Sequence, residues 1–153
     1  MKSIKLIVFD FDGVMTDNRV LVSEDGKESV FCNRSDGIGI NILRKSGYKM
    51  LILSTEKNRV VKARAKKLKM SVLNGIYDKK KVLCEYCRKN NIKMTSVCYV
   101  GNDINDLSAM KSVGVKVCPS DAYSEIKSIS DIVLKKAGGD GVVRELATLF
   151  TKQ

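Results

Sequence analysis

Two aspartates, Asp10 and Asp12, stand two positions apart at the end of the mostly apolar run Ile4–Phe9, with Gly13 directly after them. Carboxylates brought this close repel each other, and each is poorly solvated where the chain buries it. A divalent cation removes that cost, and hard oxygen ligands of this kind select magnesium. With the cation bound, the Asp10 carboxylate can attack a phosphorus atom and form an aspartyl phosphate. Asp12 is close enough to protonate the leaving oxygen and afterwards to activate water. The plainer alternative makes one aspartate a turn or helix cap and the other a surface group. A carboxylate pair and a glycine immediately after a buried strand disfavour it, because these local features agree on a site.

Such side chains need a scaffold, and the punctuation of the sequence supplies one. Ile4–Phe9 has the length and character of a strand buried on both faces. Arg19–Val22 and Ser29–Cys32 flank Glu24-Asp25-Gly26-Lys27, and Asp-Gly between two β-prone segments reads as a hairpin. Asp36 is expected to cap a helix that runs to about Ser46 and is closed by Gly47. Tyr48–Leu53 reads as a second buried strand, and Lys57–Lys69 as a basic helix with Val60, Val61, Ala65 and Leu68 as its apolar stripe. A short strand near Val72-Leu73, a helix over Lys79–Asn90, a strand over Ser96–Val100 and a helix over Ile104–Val113 follow. Val115–Val117 and Ile132–Leu134 complete the strands, and Val142–Phe150 is the final helix. This alternation predicts an α/β fold: a Rossmann-like, three-layer α/β/α parallel sheet in one domain over 1–153. A small β-hairpin flap at 19–32 follows the first strand, and there is no cap domain.

In such a sheet, ligands bind beyond the carboxyl ends of the strands. The residues expected there are Asp10–Gly13, Ser54-Thr55-Glu56 and Gly101–Asp106, so three strands deliver polar side chains to one edge.

The run Val8–Thr16, with Asp10, Asp12, Gly13 and Thr16, resembles the first motif of the haloacid dehalogenase superfamily, Asp-x-Asp-Gly-x-x-Thr. Later motifs follow in order. The resemblance implies that Asp10 is the nucleophile, Asp12 the acid–base group, and both are magnesium ligands. Ser54 matches the second motif, whose hydroxyl hydrogen-bonds the transferring phosphoryl group; read alone it is a helix cap, and it can be both. Lys79 matches the third-motif lysine, which neutralises nucleophile and phosphate. Lys80 and Lys81 follow it, so spacing leaves the choice open by one residue, and a solvated lysine run is the plain alternative. Gly101–Asp106 matches the fourth motif, which supplies the last magnesium ligand. The most similar branch has Gly-Asp-Asp there, whereas this chain has Asn102. Either the Asn102 amide oxygen binds the metal without bringing a charge, or Asp103 takes its place.

In layout the chain is similar to the capless branch that dephosphorylates 3-deoxy-octulosonate 8-phosphate and the nonulosonate 9-phosphates. The similarity spans nearly the whole sequence, including Ser35-Asp36-Gly37 and Gly138–Glu145. It implies a 2-keto-3-deoxy sugar acid phosphate as substrate, and a homotetramer in which a neighbouring subunit closes the site through hairpin and tail. Glu56 resembles the nine-carbon enzymes, where the eight-carbon ones have arginine, so a nonulosonate 9-phosphate is the expected substrate. Thr16, Ser54, Thr55, Glu56, Arg64, Lys67 and Lys79 are then the substrate-binding candidates. Arg64 and Lys67, three apart on one helix face, could attract the substrate carboxylate or the neighbouring subunit, or form a solvated basic face. Two rival readings remain. One is an inactive domain serving assembly with a sialic acid cytidylyltransferase, which Asn102 favours and the intact Asp10, Asp12, Ser54 and Lys79 oppose. The other is a phospho-receiver, which would carry its phosphorylated aspartate after a middle strand.

Composition narrows the remaining classes. Hydrophobic residues at 44% and charged residues at 29% of 153 are values of a globular domain with a real core. The opening Met1–Phe9 is too short in apolar residues for a signal peptide and no run suits a membrane span, so a cytoplasmic location is expected. Five cysteines without a secretory signal argue against a disulfide framework, and Cys84–Cys87 lacks histidines or a second pair to complete a zinc site. The net charge of +11 would suit an anionic substrate or nucleic acid. Aromatic residues are not interleaved with the basic clusters, which speaks against nucleic acid.

Overall fold

The computed structural model describes residues 3–151. β1 (Leu6–Phe9) is fully buried and lies at the centre of the sheet, between β4 (Lys49–Leu53) and β6 (Val97–Val100). β5 (Ser71–Leu73) extends the sheet beyond β4, and β7 (Val115–Cys118) and β8 (Ile132–Val133) extend it beyond β6. Every pairing is parallel, and the strand order is β5-β4-β1-β6-β7-β8. Reversal of the strand order about β1 opens a crevice above its carboxyl end, where Asp10 stands.

Alternation along each strand divides the core into two layers. Ile7, Phe9, Ile52 and Val100 face α1 (Arg34–Lys45), α2 (Arg59–Leu68) and α6 (Val142–Thr151). Leu6, Val8, Leu53 and Tyr99 face α3 (Lys79–Lys89), α4 (Ile104–Met110) and α5 (Ser124–Ile129). This is the expected three-layer α/β/α arrangement. The hairpin is present as the two-residue strands β2 (Leu21–Val22) and β3 (Glu28–Ser29), turning at Gly26 with a φ of 78°. Its strands are shorter than the sequence suggested, because Leu21 and Val22 project into solvent with no second layer behind them. The helix α5 was not anticipated: it has six residues, one buried side chain and no side-chain cap, so it leaves almost no periodic signal. Among the described residues no helix is long and apolar enough to cross a membrane.

Asp36 is not the cap of α1. Asn33 holds that position, its side chain accepting from the Ser35 N–H. Asp36 instead lies within the first turn and reaches across to α6, where its Oδ1 accepts from the N–H groups of Val143 (3.1 Å) and Arg144 (3.3 Å). It therefore caps a helix 107 positions away, at the α1–α6 contact where Gly39 lets the Val143 carbonyl approach. Burial pushes the Asp36 carboxyl up to about 6, despite those two donors. A carboxyl raised in the folded state binds its proton more tightly there than in the unfolded chain, so its contribution is full below the ordinary aspartate range and lost as pH rises through about 6. Asp36→Asn keeps an acceptor and cannot titrate. Denaturant unfolding should show the variant gaining on the wild type between pH 4 and 7, by roughly 2–3 kcal/mol. A constant difference across that range would contradict this.

Candidate active site

Asp10 is fastened as soon as β1 ends. Its N–H donates to the Val100 carbonyl (2.9 Å), and its Oδ1 accepts from the Phe11 N–H (2.7 Å). The chain then winds over the Phe11 carbonyl, which accepts from Met15 (2.8 Å) and Thr16 (3.2 Å). Gly13 makes the turn possible with a φ of 77°, and a Cβ there would lie 2.0 Å from the Asn102 amide nitrogen. Thr16 is buried inside this loop, its hydroxyl donating to Asp12 Oδ1 (3.2 Å) and accepting from the N–H groups of Gly13 and Asn18. It shapes the loop and does not line the cleft above.

That cleft has a volume of about 250 Å³, and Asp10, Asp12, Thr55, Glu56, Asn102 and Asp103 line it. Ser54, before Thr55, is buried, with Oγ accepting from the Glu56 N–H (3.1 Å). Ser54 does not cap α2; Asn58 does. Asn105 of α4, within the expected Gly101–Asp106 segment, also lines the cleft, as do Arg19 and Glu28 of the hairpin, which strand-end reasoning did not anticipate. Arg64 and Lys67 are not brought to it. They line a separate basic groove of about 440 Å³ between α1 and α2, with Arg34, Arg44 and Lys69. Arg64 there donates to the Asn33 carbonyl (2.8 Å).

Beneath the cleft lies a row of buried charges. Lys79, the first residue of α3, has a fully buried side chain, whereas Lys80 and Lys81 are exposed. Its Nζ lies 2.8 Å from Asp10 Oδ1 and 2.7 Å from Asp106 Oδ1. Asp106 is also fully buried, and its Oδ2 accepts from the Asn102 N–H (3.0 Å). Sequence reasoning quoted Asp106 within its motif but gave it no role, since an acid in the first turn of a helix reads as an ordinary partner of the helix dipole. Burial works against the Lys79 charge, but Asp10 and Asp106 outweigh it and its pKa is raised. Burial, and then the charge of Asp106, push Asp10 upward against the pull of Lys79. Burial also raises Asp12, with the Thr16 hydroxyl opposing.

With all three ionised, Asp10, Asp12 and Asp106 outnumber the single Lys79 ammonium by two negative charges, which is why burial and mutual repulsion push Asp10 upward without a cation. The Asn102 side-chain oxygen is buried without a hydrogen-bond partner among the described residues. An excess of negative charge beside an orphaned buried acceptor fits a divalent cation held by oxygen donors. Asp103 is differently engaged: it caps α4, its Oδ1 accepting from the Ile104 N–H (2.6 Å). Among the described residues no group of three His, Cys, Asp or Glu side chains is arranged to hold a metal.

Residues 48–146 match the haloacid dehalogenase-like hydrolase family. The chain is 32% identical over 150 residues to the 3-deoxy-D-manno-octulosonate 8-phosphate phosphatase of Escherichia coli, covering 97% of this chain and 80% of that protein. A crystal structure of an HAD family hydrolase from Streptomyces avermitilis superposes with a TM-score of 0.93 at 48% identity, over 95% of this chain and 84% of the other. The octulosonate 8-phosphate phosphatase of Moraxella catarrhalis, in complex with magnesium, phosphate and the sugar acid, superposes with a TM-score of 0.94 at 30% identity, over 99% of this chain and 87% of the other.

Proposed function

Because this chain belongs to the haloacid dehalogenase-like hydrolases, we propose that it is a magnesium-dependent phosphatase of a 2-keto-3-deoxy sugar acid phosphate, a nonulosonate 9-phosphate in preference to an octulosonate 8-phosphate. One observation carries the reading: Asp10, Lys79 and Asp106 form a buried ionic row under a cleft that also holds Asp12 and the unpartnered Asn102 oxygen. Asp10 Oδ1 is occupied by Lys79 and the Phe11 N–H, so Oδ2 is the oxygen available to form the bond to phosphorus. As that bond forms, the bond from phosphorus to the sugar oxygen breaks, and Asp12 gives the leaving oxygen its proton. Asp12 then takes a proton from water, whose oxygen attacks the aspartyl phosphate to release inorganic phosphate and restore Asp10. Lys79 balances charge on Asp10 and on the phosphoryl oxygens throughout. Asp10, Asp12 and the Asn102 side-chain oxygen would hold magnesium, which would supply further neutralisation of phosphoryl charge. Asp103 stays at the rim as the cap of α4.

The substrate assignment draws on the printed activity of the relatives and on Glu56, a carboxylate on the cleft wall suited to accept hydrogen bonds from sugar hydroxyls. Ser54 and Thr55 would hydrogen-bond the phosphoryl group as it transfers. Thr16 acts through Asp12 by the hydrogen bond it donates. Leu21, Val22 and Phe31 of the hairpin region expose 67%, 60% and 75% of their surface, which suits a homotetramer in which another copy covers them. Arg64 and Lys67 would then meet the substrate carboxylate from the neighbouring subunit.

The test is a phosphate-release screen over sugar acid phosphates with and without magnesium. Release from the nine-carbon esters above the eight-carbon ester is expected; the reverse order would overturn the use of Glu56, and no release from either would overturn the function. Asn102→Asp adds a third carboxylate to the metal site. Calorimetric titration should show magnesium binding at least about tenfold tighter, since affinity follows ligand charge, and the metal-free variant should melt lower than the wild type. An unchanged affinity would remove Asn102 from the ligand set.

A further inference from the structure

Tyr99 lies on β6, fully buried in the apolar layer between the sheet and α3, α4 and α5. A phenol there must satisfy its hydroxyl, and it does so at one place: it donates to Asp106 Oδ1 at 2.8 Å. The same oxygen accepts from Lys79 Nζ at 2.7 Å. The other oxygen of Asp106 is held by the Asn102 N–H, and the carboxylate lies against Gly101, where a Cβ would stand only 2.7 Å from it. Asp106 is thereby gripped from β6, from the turn after β6 and from α3 at once.

The geometry points to Tyr99 as a positioning residue of the catalytic site, acting through Asp106 on Lys79. Two donors on one carboxylate oxygen divide its acceptor capacity. With the phenol in place, Asp106 anchors the lysine without drawing its whole charge, and the ammonium stays directed at Asp10 and at the phosphoryl group beyond. Without it, Asp106 Oδ1 is left to Lys79 alone, and the ammonium is drawn down and away from the place where charge develops. The inference rests on the phosphatase reading, and it concerns a residue outside the superfamily motifs matched above.

Tyr99→Phe removes the hydroxyl and keeps the ring, so the packing of the layer survives. The expected result is a fall in kcat of about tenfold with KM changed less than about threefold, because the lysine acts most strongly where charge builds up. A role confined to packing would lower the melting temperature and leave kcat alone. The same substitution made in an Asp106→Asn background should change kcat less than about twofold, since the carboxylate it works through is gone. An equal loss in both backgrounds, or no loss in the first, overturns the proposal. Inorganic phosphate binding, measured by calorimetry on the same four proteins with magnesium, gives a readout that needs no turnover. The affinity should weaken about threefold for Tyr99→Phe and stay level when the substitution is added to Asp106→Asn. Equal phosphate binding by the wild type and by Tyr99→Phe defeats this inference alone. A wild type that binds no phosphate defeats the phosphatase reading and this inference with it.

Discussion

Asp10→Asn should abolish turnover while leaving the protein as stable as the wild type, or more so. The amide has no anionic oxygen to attack phosphorus and cannot form the acyl phosphate, so phosphate release should drop roughly 10⁴-fold or more, into the range seen when a covalent nucleophile is removed. Stability moves the other way for an electrostatic reason. Burial and the neighbouring charge of Asp106 push the Asp10 carboxyl up, so the folded state favours its neutral form. By the linkage sign, the ionised carboxylate weighs against folding at neutral pH, and a permanently neutral amide relieves that weight. Lys79 keeps Asp106 as its partner, so no buried cation is stranded. Thermal melting beside a phosphate-release assay checks both halves. Turnover within tenfold of the wild type would remove Asp10 from the nucleophile's role. A melting temperature well below the wild type would show the ionised aspartate to be structural.

Lys79→Met is expected to damage both properties. Its ammonium lies between two buried carboxylates, and its loss leaves Asp10 and Asp106 facing each other without a counter-charge. Removing one partner of a buried ion pair typically destabilises by about 3–5 kcal/mol, and turnover should fall by about 10²–10³-fold with the loss of a preorganised charge. The two losses can be separated. Adding Asp106→Asn removes one of the stranded carboxylates, so the double variant should regain much of the stability and none of the turnover. The deficit of the single variant should also shrink towards acid pH, as the unpaired carboxyls take up protons. A single variant that melts like the wild type would mean that the row is not an ionic network. Recovery of turnover in the double variant would mean that Lys79 has no part in the chemistry.

Most of the architecture was legible in the sequence because its signals were local and repeated. The buried strand before Asp10, the Asp-Gly turn and the stripe Val61-Ala65-Leu68 each follow from a period or a turn residue, and each lies where expected. The site was legible in part. Strand ends gave Asp10, Asp12, Ser54 and Asn102, since chain direction alone brings those positions to one edge. What escaped depends on contacts between distant elements. Asp36 looks like an N-cap in any window of ten residues, and only the fold reveals that it caps α6. The first turn of α4 carries Asp106 with no local sign that Lys79 and Tyr99 will meet it in a dry layer. Arg64 and Lys67 showed their spacing in the sequence but not their direction, and they open onto a groove of their own.

The loop bearing Asp12 is braced by residues synthesised long after it. A Cβ at Gly138 would lie 2.3 Å from the Gly13 carbonyl, and one at Gly139 would lie 2.5 Å from the Asp17 amide nitrogen. The Gly139 N–H also donates to the Val14 carbonyl at 3.1 Å. Two glycines are what permit backbone to lie on backbone there. In kinetic terms these are contacts of very high sequence separation, closed at a correspondingly high entropic expense. On the ribosome, β1, α1 and β4 emerge while Asp10 and Asp12 still lack that brace. The reactive end of the sheet thus takes its final shape only after the stretch around residue 139 has emerged, and order of synthesis becomes a timer on when this molecule can act.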